Sequence, residues 1–303
     1  MVNSLSIVNQ RLIKGATYAS VIVAVFLVAS KCLAWYITNS LSIKASLVDS
    51  LLDTFASMIN FIALRHALRP ADAEHRFGHG KVEALASLGQ SIFIALSAIW
   101  LMKEVVHRLA EPTEVIYSSV AIGIMIASTL LTCFLVVGQQ YVIKKTNSLG
   151  ISADSLHYQT DILTNIGVLG SFALSSQFHF IFFDTLVGAA ISGYIFYTSW
   201  KIASQSFDVL IDRELPAKIV SEIRAIAQEH SGVLGIHDLK TRSSGQSMFI
   251  QMHLDLDGSL TLEKAHHIAQ QVAMEIYEKF PSSEVIIHQD PIGKTSHHRP
   301  PKT

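Results

Sequence analysis

Cysteine is nearly absent from this chain of 303 residues, which contains only two. Cys32 and Cys133 each lie inside an apolar run, and neither belongs to a CxxC pair. A disulfide framework and a thiolate metal cluster are therefore not expected. Both cysteines are predicted to be packing residues or, in a membrane, to face lipid.

Charge is also scarce. Charged residues make up 16% of the chain against 50% hydrophobic residues, and mean hydropathy is +0.38. The net charge of -1 provides no basic field, so no nucleic-acid partner is expected. Neither a Gly-rich phosphate loop nor a nucleophile elbow is present, so the protein is not expected to be an enzyme. The composition is typical of a membrane protein with a soluble segment.

Long apolar stretches are abundant. Six of them approach the roughly 20 apolar residues that a membrane-spanning helix needs. The second and fifth are less apolar because they contain ionisable residues. We predict a six-helix transmembrane domain over residues 1–207, with no cleaved signal peptide. The stretches cover approximately 15–38, 42–66, 83–108, 116–143, 150–174 and 180–206.

Basic residues in the short connecting segments predict the orientation of the spans. They cluster before the first span, between the second and third, and between the fourth and fifth. The positive-inside rule therefore puts both termini in the cytoplasm. The residues are Arg11 and Lys14, then Arg65, Arg69, Arg76 and Lys81, and finally Lys144 and Lys145.

Residues 208–291 have the pattern of a soluble α/β domain. A helical stretch near 216–230 is followed by two strand-like segments around Gly245, a helix at 261–280 and a short strand. This αββαβ order predicts a small open sheet with two helices on one face. Residues 292–303, which include Pro300 and Pro301, are predicted to form a disordered tail.

Ionisable residues in the second and fifth spans have the spacing of metal ligands. Asp49 and Asp53 are four residues apart, as are His157 and Asp161, so each pair lies on one helix face. A rise of about 1.5 Å per residue places each pair roughly 10 to 16 Å inside its membrane surface. Both pairs then reach the middle of a core about 30 Å thick, where they can close four ligands around one ion.

Interhelical hydrogen bonds, or a proton relay without metal, are the alternative explanation of these residues. Three carboxylates gathered in lipid with a single histidine repel one another, which favours a bound cation. Protons would compete with that metal. His157 is the group expected to exchange protons, and the carboxylates are possible further carriers.

Two groups of histidines lie outside the spans. In the loop RPADAEHRFGHGK, Asp72, His75 and His79 have a spacing compatible with a metal site, although loop histidines are often simply solvated. Three histidines of the soluble segment occur at strand positions, where a sheet could gather them at one edge. Surface histidines without metal are the alternative. The soluble segment contains His237, His253, His266, His267 and His288, with Asp290 following closely.

Several motifs together resemble the cation diffusion facilitator family, over essentially the whole chain. They are VDSLLD in the second span, HYQTD in the fifth, the FGHGK loop, and the IHDLKTR, QMHLDLD and IIHQDP segments. The resemblance implies a homodimer that exchanges cytoplasmic Zn2+ for protons across a bacterial inner membrane. It also implies a metallochaperone-like cytoplasmic domain and no organic cofactor.

The resemblance further implies roles for individual residues. The loop site would be Asp72, His75 and His79, and a charge interlock near the inner membrane surface would fall on Lys81 and Asp212. His267 beside His266 leaves the ligand on that helix open. The transport site would be Asp49, Asp53, His157 and Asp161, and the cytoplasmic sites would draw on His237, His253, His266, His288 and Asp290, with Gln289 as a further candidate.

We expect alternating-access export of zinc, with Cd2+ and Fe2+ as further substrates. Four nitrogen and oxygen ligands match the tetrahedral preference of zinc, although Fe(II) or Mn(II) as the main substrate remains an alternative. A membrane metal sensor and a passive cation channel are the rival functions. Flux into proteoliposomes would exclude the sensor, and dependence of that flux on an opposing pH gradient would exclude the channel.

Overall fold

The computed structural model describes residues 2–38, 41–110, 119–178 and 181–293. The chain divides into two compact units. Asn9–Leu210 form a helical unit, and Ile211–Thr303 together with Met1–Val8 form the other, which contains the α/β fold. Most of the tail predicted to be disordered, residues 292–303, lies outside the described residues.

The helical unit is built from six long helices. Each has at least 27 residues and is therefore about 40 Å long or more, enough to cross a hydrocarbon core of about 30 Å. The helices are α1 (Val2–Thr38), α2 (Leu41–Ala67), α3 (Lys81–Ala110), α4 (Ser119–Thr146), α5 (Leu149–Phe178) and α6 (Ile181–Leu210).

Three helices of the described chain are both long and apolar enough to be candidate membrane spans. They comprise Val8–Ile37 in α1, Lys81–His107 in α3 and Ile122–Thr146 in α4. The second and fifth helices contain the ionisable residues Asp49, Asp53, His157 and Asp161. The crossing of the membrane by α2, α5 and α6 stays a prediction.

Polarity in the helical unit is reversed relative to a soluble protein. Large apolar side chains such as Phe26, Trp100 and Phe134 are exposed, whereas Ser20 and Gln139 are almost completely buried. This distribution suits a protein surrounded by lipid, because association of helices there depends on close packing and interior hydrogen bonds. Three of the predicted transport ligands, Asp53, His157 and Asp161, lie together among these helices.

The start of α5 is held in place by polar contacts and by one close approach. Ser148 Oγ and the Gly150 N–H donate to Glu83 Oε1 of α3, at 2.5 and 3.2 Å. Asn60 Nδ2 of α2 donates to the Gly150 carbonyl at 3.2 Å, and a Cβ atom on Gly150 would overlap Leu64. These contacts fix α5 against both α2 and α3.

The α/β unit has the predicted αββαβ order. Its elements are α7 (Ala217–Glu229), β1 (Gly235–Ser244), β2 (Ser247–Leu256), α8 (Leu262–Lys279) and β3 (Ser283–Pro291). The sheet order is β1-β2-β3, with β1 antiparallel and β3 parallel to the central strand. Both helices cover one face of the sheet, and side chains of α7, β2 and α8 pack into one core that includes Ile223, Leu254 and Val272.

Truncation of the central strand should weaken this unit selectively. Leu254 is fully buried, so Leu254→Ala is expected to cost about 2 to 5 kcal/mol. Leu262→Ala is the matched control, because Leu262 is 82% exposed on α8. Hydrogen exchange of the β2 amides in the full-length protein measures the loss. Equal exchange rates in the two variants would contradict the assignment of the core.

Candidate metal sites

The predicted membrane ligands lie on α2 and α5. Nε2 of His157 is 3.0 Å from Oδ1 of Asp53. Asp161 lies one helical turn beyond His157, and ligand atoms of these three residues all fall within 4.8 Å of one another. Asp49 precedes Asp53 by one turn of α2, but its side chain lies outside the described residues. Three of the four predicted ligands are therefore brought together.

Burial and bonding leave His157 available to an ion. Its side chain is buried, and Nε2 has no well-aligned hydrogen bond to a described residue, despite the short distance to Asp53. Nε2 and the Asp53 carboxylate oxygen therefore lie close together without a well-aligned hydrogen bond, an arrangement that suits two ligand atoms facing one cation. Two carboxylates and one imidazole supply three ligands of the kind that zinc accepts.

A buried carboxylate that the sequence analysis missed supports this site. Asp154 lies one turn before His157 on α5 and is 1% exposed. Its Oδ2 accepts hydrogen bonds from Ser20 Oγ at 2.6 Å and from Gln139 Nε2 at 2.8 Å. These donors belong to α1 and α4, so one carboxylate joins three helices.

The same network continues to α2 through Tyr158. Its hydroxyl lies 2.8 Å from Ser57 Oγ and donates to the Ser20 carbonyl at 3.3 Å. Ser57 is one turn beyond Asp53 on α2, and Tyr158 follows His157 directly. The network therefore fixes the helix segments that carry the candidate ligands. The sequence signal for it was a second carboxylate, Asp154, in the segment DSLHYQTD that also contains His157 and Asp161.

The loop between α2 and α3 brings its three predicted ligands together. Ligand atoms of Asp72, His75 and His79 lie within 4.8 Å of one another, and Asp72 Oδ2 is 3.3 Å from His79 Nε2. Asp72 Oδ1 accepts from the His75 and Glu74 N–H groups at 2.7 and 3.0 Å. The hydrogen bond from the His75 N–H is the largest of the effects that lower the pKa of Asp72, so this carboxylate is held ionised and oriented.

The two residues of the predicted charge interlock belong to different units. Lys81 Nζ donates to the Leu210 carbonyl at 3.2 Å within the helical unit. Asp212 pairs with Arg242 at 3.1 Å within the other unit. An interaction between Lys81 and Asp212 stays a prediction.

Strand register places three histidines in one row across the sheet. His253 of β2 pairs with His237 of β1 and with His288 of β3. All three lie on the face opposite the helices, because the alternate residues of β2 are the ones buried in the core. The carboxylate of Asp290 contacts each histidine, with distances of 2.7 Å to His253 and 3.3 Å to the other two.

Asp290 is the common partner of this row, and its ionisation reflects that position. Burial alone would raise the pKa of Asp290, but the hydrogen bond with His253 and the nearby imidazoles outweigh it, and the pKa is lowered. Asp255, which the sequence analysis did not select, lies 3.3 Å from His237 Nδ1. It has room there because its neighbour on β1 is Gly235, where a Cβ atom would come within 2.6 Å of Asp255 Oδ2.

Other predicted cytoplasmic ligands lie apart from this row. His266 and His267 are exposed on α8, and neither makes a hydrogen bond or ion pair with a described residue. Gln289 lies on the sheet face opposite His288 and donates to the Ile287 carbonyl at 3.4 Å. These three residues do not contribute to a cluster within the described α/β unit.

Comparison with known families agrees with this architecture. The family described as "Cation efflux transmembrane domain" matches residues 17–211, and "Cation efflux protein, cytoplasmic domain" matches residues 215–292. The chain belongs to the cation diffusion facilitator family. The predicted combination of a helical transmembrane region and a cytoplasmic α/β domain is confirmed.

Relatives of the family align along nearly the whole chain. Protein p34 of Rickettsia prowazekii (strain Madrid E) is 46% identical over 289 residues, which cover 95% of this chain and 96% of the relative. The cation-efflux pump FieF of Salmonella paratyphi A is 42% identical over 281 residues, covering 93% of each chain. The metal-bound C-terminal domain of the CzcD transporter from Thermotoga maritima shares 25% identity, covers 26% of this chain and 93% of that one, and gives a TM-score of 0.25.

Membership in the cation diffusion facilitator family makes this protein a cation efflux transporter of the FieF type, which exports divalent metal.

The polar network behind the candidate site can be tested apart from transport. Asp154→Ala and Gln139→Ala should each lower stability by about 1 to 3 kcal/mol, because each leaves a buried polar partner unsatisfied. Thermal unfolding of the purified protein in detergent measures both.

The double variant provides the control for this network. If Asp154 and Gln139 interact directly, as their 2.8 Å contact indicates, the double variant should lose less stability than the sum of the single losses. The expected coupling is about 0.5 to 3 kcal/mol. Additive losses would show that the two side chains act independently.

Proposed function

We propose that this protein exports zinc in exchange for protons, through a four-ligand site formed by Asp49, Asp53, His157 and Asp161. The single observation that supports the proposal most strongly is the convergence of Asp53, His157 and Asp161 inside the helical unit. The helical unit that contains these residues has large apolar side chains on its outside, as expected in lipid. A charged side chain inside such a unit needs a partner of opposite charge. A divalent cation cargo supplies that partner.

The choice of zinc follows from ligand chemistry. Four nitrogen and oxygen ligands suit tetrahedral Zn2+, and Cd2+ and Fe2+ are proposed as further substrates. Three carboxylates and one imidazole form a harder set than thiolates, which disfavours Cu(I). Fe(II) or Mn(II) as the main substrate remains the alternative.

Proton exchange follows from competition for the same atoms. A metal ligand has to be deprotonated, so metal binding releases protons and metal release takes them up. His157 is the proposed main carrier because an imidazole exchanges protons near neutral pH. The crowded carboxylates would hold protons in the empty site, because like charges repel strongly in a medium of low dielectric.

The remaining parts of the proposal concern assembly and location. We propose a homodimer in a bacterial inner membrane, with both termini in the cytoplasm, that works by alternating access. The histidine row and Asp290 would bind zinc as a structural or regulatory ion, and Asp72, His75 and His79 would form a second site in the loop. The similarity of residues 215–292 to the cytoplasmic domain of cation efflux proteins agrees with this placement.

Loss of one membrane ligand should abolish flux. Asp161→Ala in proteoliposomes is expected to stop zinc transport while the protein stays folded, because the ligand set is broken but the polar network on the other side of His157 is intact. Asp208→Ala, near the end of α6, is the control and should keep near-normal flux. Normal transport by Asp161→Ala would contradict the site assignment.

The same assay separates the rival functions. Reversal or collapse of the pH gradient should reverse or abolish uphill zinc movement through the unmodified protein. Zinc flux that does not depend on the pH gradient would identify a passive channel. Absence of flux from active, metal-binding protein would favour a membrane sensor.

Replacement of the imidazole should change the pH response. His157→Asp keeps a ligand, so zinc should still bind, but its affinity should follow a different pH profile and shift toward harder ions. Zinc affinity measured from about pH 5.5 to 8, with the loop and cytoplasmic ligands substituted, isolates this effect. Identical profiles would leave the carboxylates as the only proton carriers.

A further inference from the structure

A third histidine lies beside the loop cluster of Asp72, His75 and His79. His66 is in the last turn of α2, and its ring centroid is 4.7 Å from that of His79, with the ring planes at 86°. The ring centroid of His75 is also close to that of His79, at 4.6 Å. His79 therefore has two imidazoles near its ring, one from the loop and one from α2.

His79 itself has unused bonding capacity. Its side chain is 5% exposed, and its Nδ1 atom is buried without a hydrogen-bond partner among the described residues. A buried nitrogen without a partner is costly unless something binds it. With Asp72 already oriented by the backbone N–H groups of the loop, the surroundings of His79 have the character of a preformed cation site.

We propose that His66 is a ligand of the loop metal site, which then holds one zinc-class ion with three imidazoles and one carboxylate. This inference rests on the loop site named under the proposed function and adds a residue from α2 to it. The nitrogens of His66 stand outside the cluster of Asp72, His75 and His79. Ligation by His66 therefore requires its side chain to change conformation when the ion binds.

The fourth ligand would give the loop site a different metal preference from that of the membrane site. Zinc in closed protein sites is almost always four-coordinate, and the loop residues alone supply only three ligands. An imidazole-rich set favours zinc over Mn(II) and other metals that prefer carboxylates. The loop would therefore select zinc more narrowly than the carboxylate-rich transport site.

Ligation by His66 would also link the loop ion to a transport helix. His66 and Asp53 lie on the same helix, about 20 Å apart along its axis. His79 lies just before α3. A metal held by both histidines would clamp the end of α2 to the start of α3.

The test uses full-length protein with only the loop site left intact. In that background Asp53, Asp161, His237, His253 and His288 are replaced by Ala. Zn2+ affinity is measured by competition with a chromogenic chelator, and the Co2+ complex is examined by its visible absorption, which is intense for tetrahedral sites. His66→Ala and His66→Phe should each weaken Zn2+ binding by at least about tenfold and reduce the cobalt bands.

Matched variants separate ligation from packing. Phe keeps a ring against His79 but has no nitrogen, so it removes the proposed ligand while the ring contact is kept. His230→Ala, on the α/β unit, should change nothing. Normal Zn2+ binding by His66→Phe would overturn the inference.

His79→Ala distinguishes this inference from the loop site on which it rests. Loss of binding in both His79→Ala and His66→Phe supports the fourth ligand. Loss in His79→Ala alone overturns the role of His66 and leaves a three-ligand loop site. Loss in neither overturns the loop site as well, while zinc export through the membrane site stays supported by its own flux assay.

Discussion

An ionisable side chain inside a hydrocarbon layer must receive its polar partners from the protein, and this requirement organises the helical unit. Asp154 receives donors from Ser20 and Gln139, and the network reaches α2 through Tyr158. Because these partners come from four helices, the interior is polar where a soluble protein would be apolar. The helical unit can then hold the candidate ligands Asp53, His157 and Asp161 among its helices.

In the α/β unit the corresponding constraint is strand register. A shift of one residue in β2 or β3 would turn its histidine toward the helices and away from the other two. The core residues on the opposite face of β2 prevent such a shift, since Leu254 and its alternate neighbours would lose their burial. Apolar packing on one face of the sheet therefore fixes the histidine row on the other.

Local spacing allowed the sequence to predict part of this structure. The four-residue spacings within the second and fifth spans predicted ligands on one helix face, and alternation of apolar residues predicted the αββαβ domain. Asp154 and Asp255 were missed because their partners are distant in sequence, such as Ser20 for Asp154. His66 was missed because its relation to His79 depends on the path of the loop rather than on a periodic pattern. His266, His267 and Gln289 were candidates by residue type, but helix position and strand alternation direct them away from the row.

The missing side chain at Gly150 sets how closely α2 and α5 can approach, since any Cβ atom there would overlap Leu64. His157 is two turns further along α5, about 10 Å away, so the gap between the helices at the ligands depends on this contact. A bulkier residue at position 150 would widen the space between Asp53 and His157. In the proposed transport site, discrimination between ions by their radius would then depend on a residue that never touches the ion.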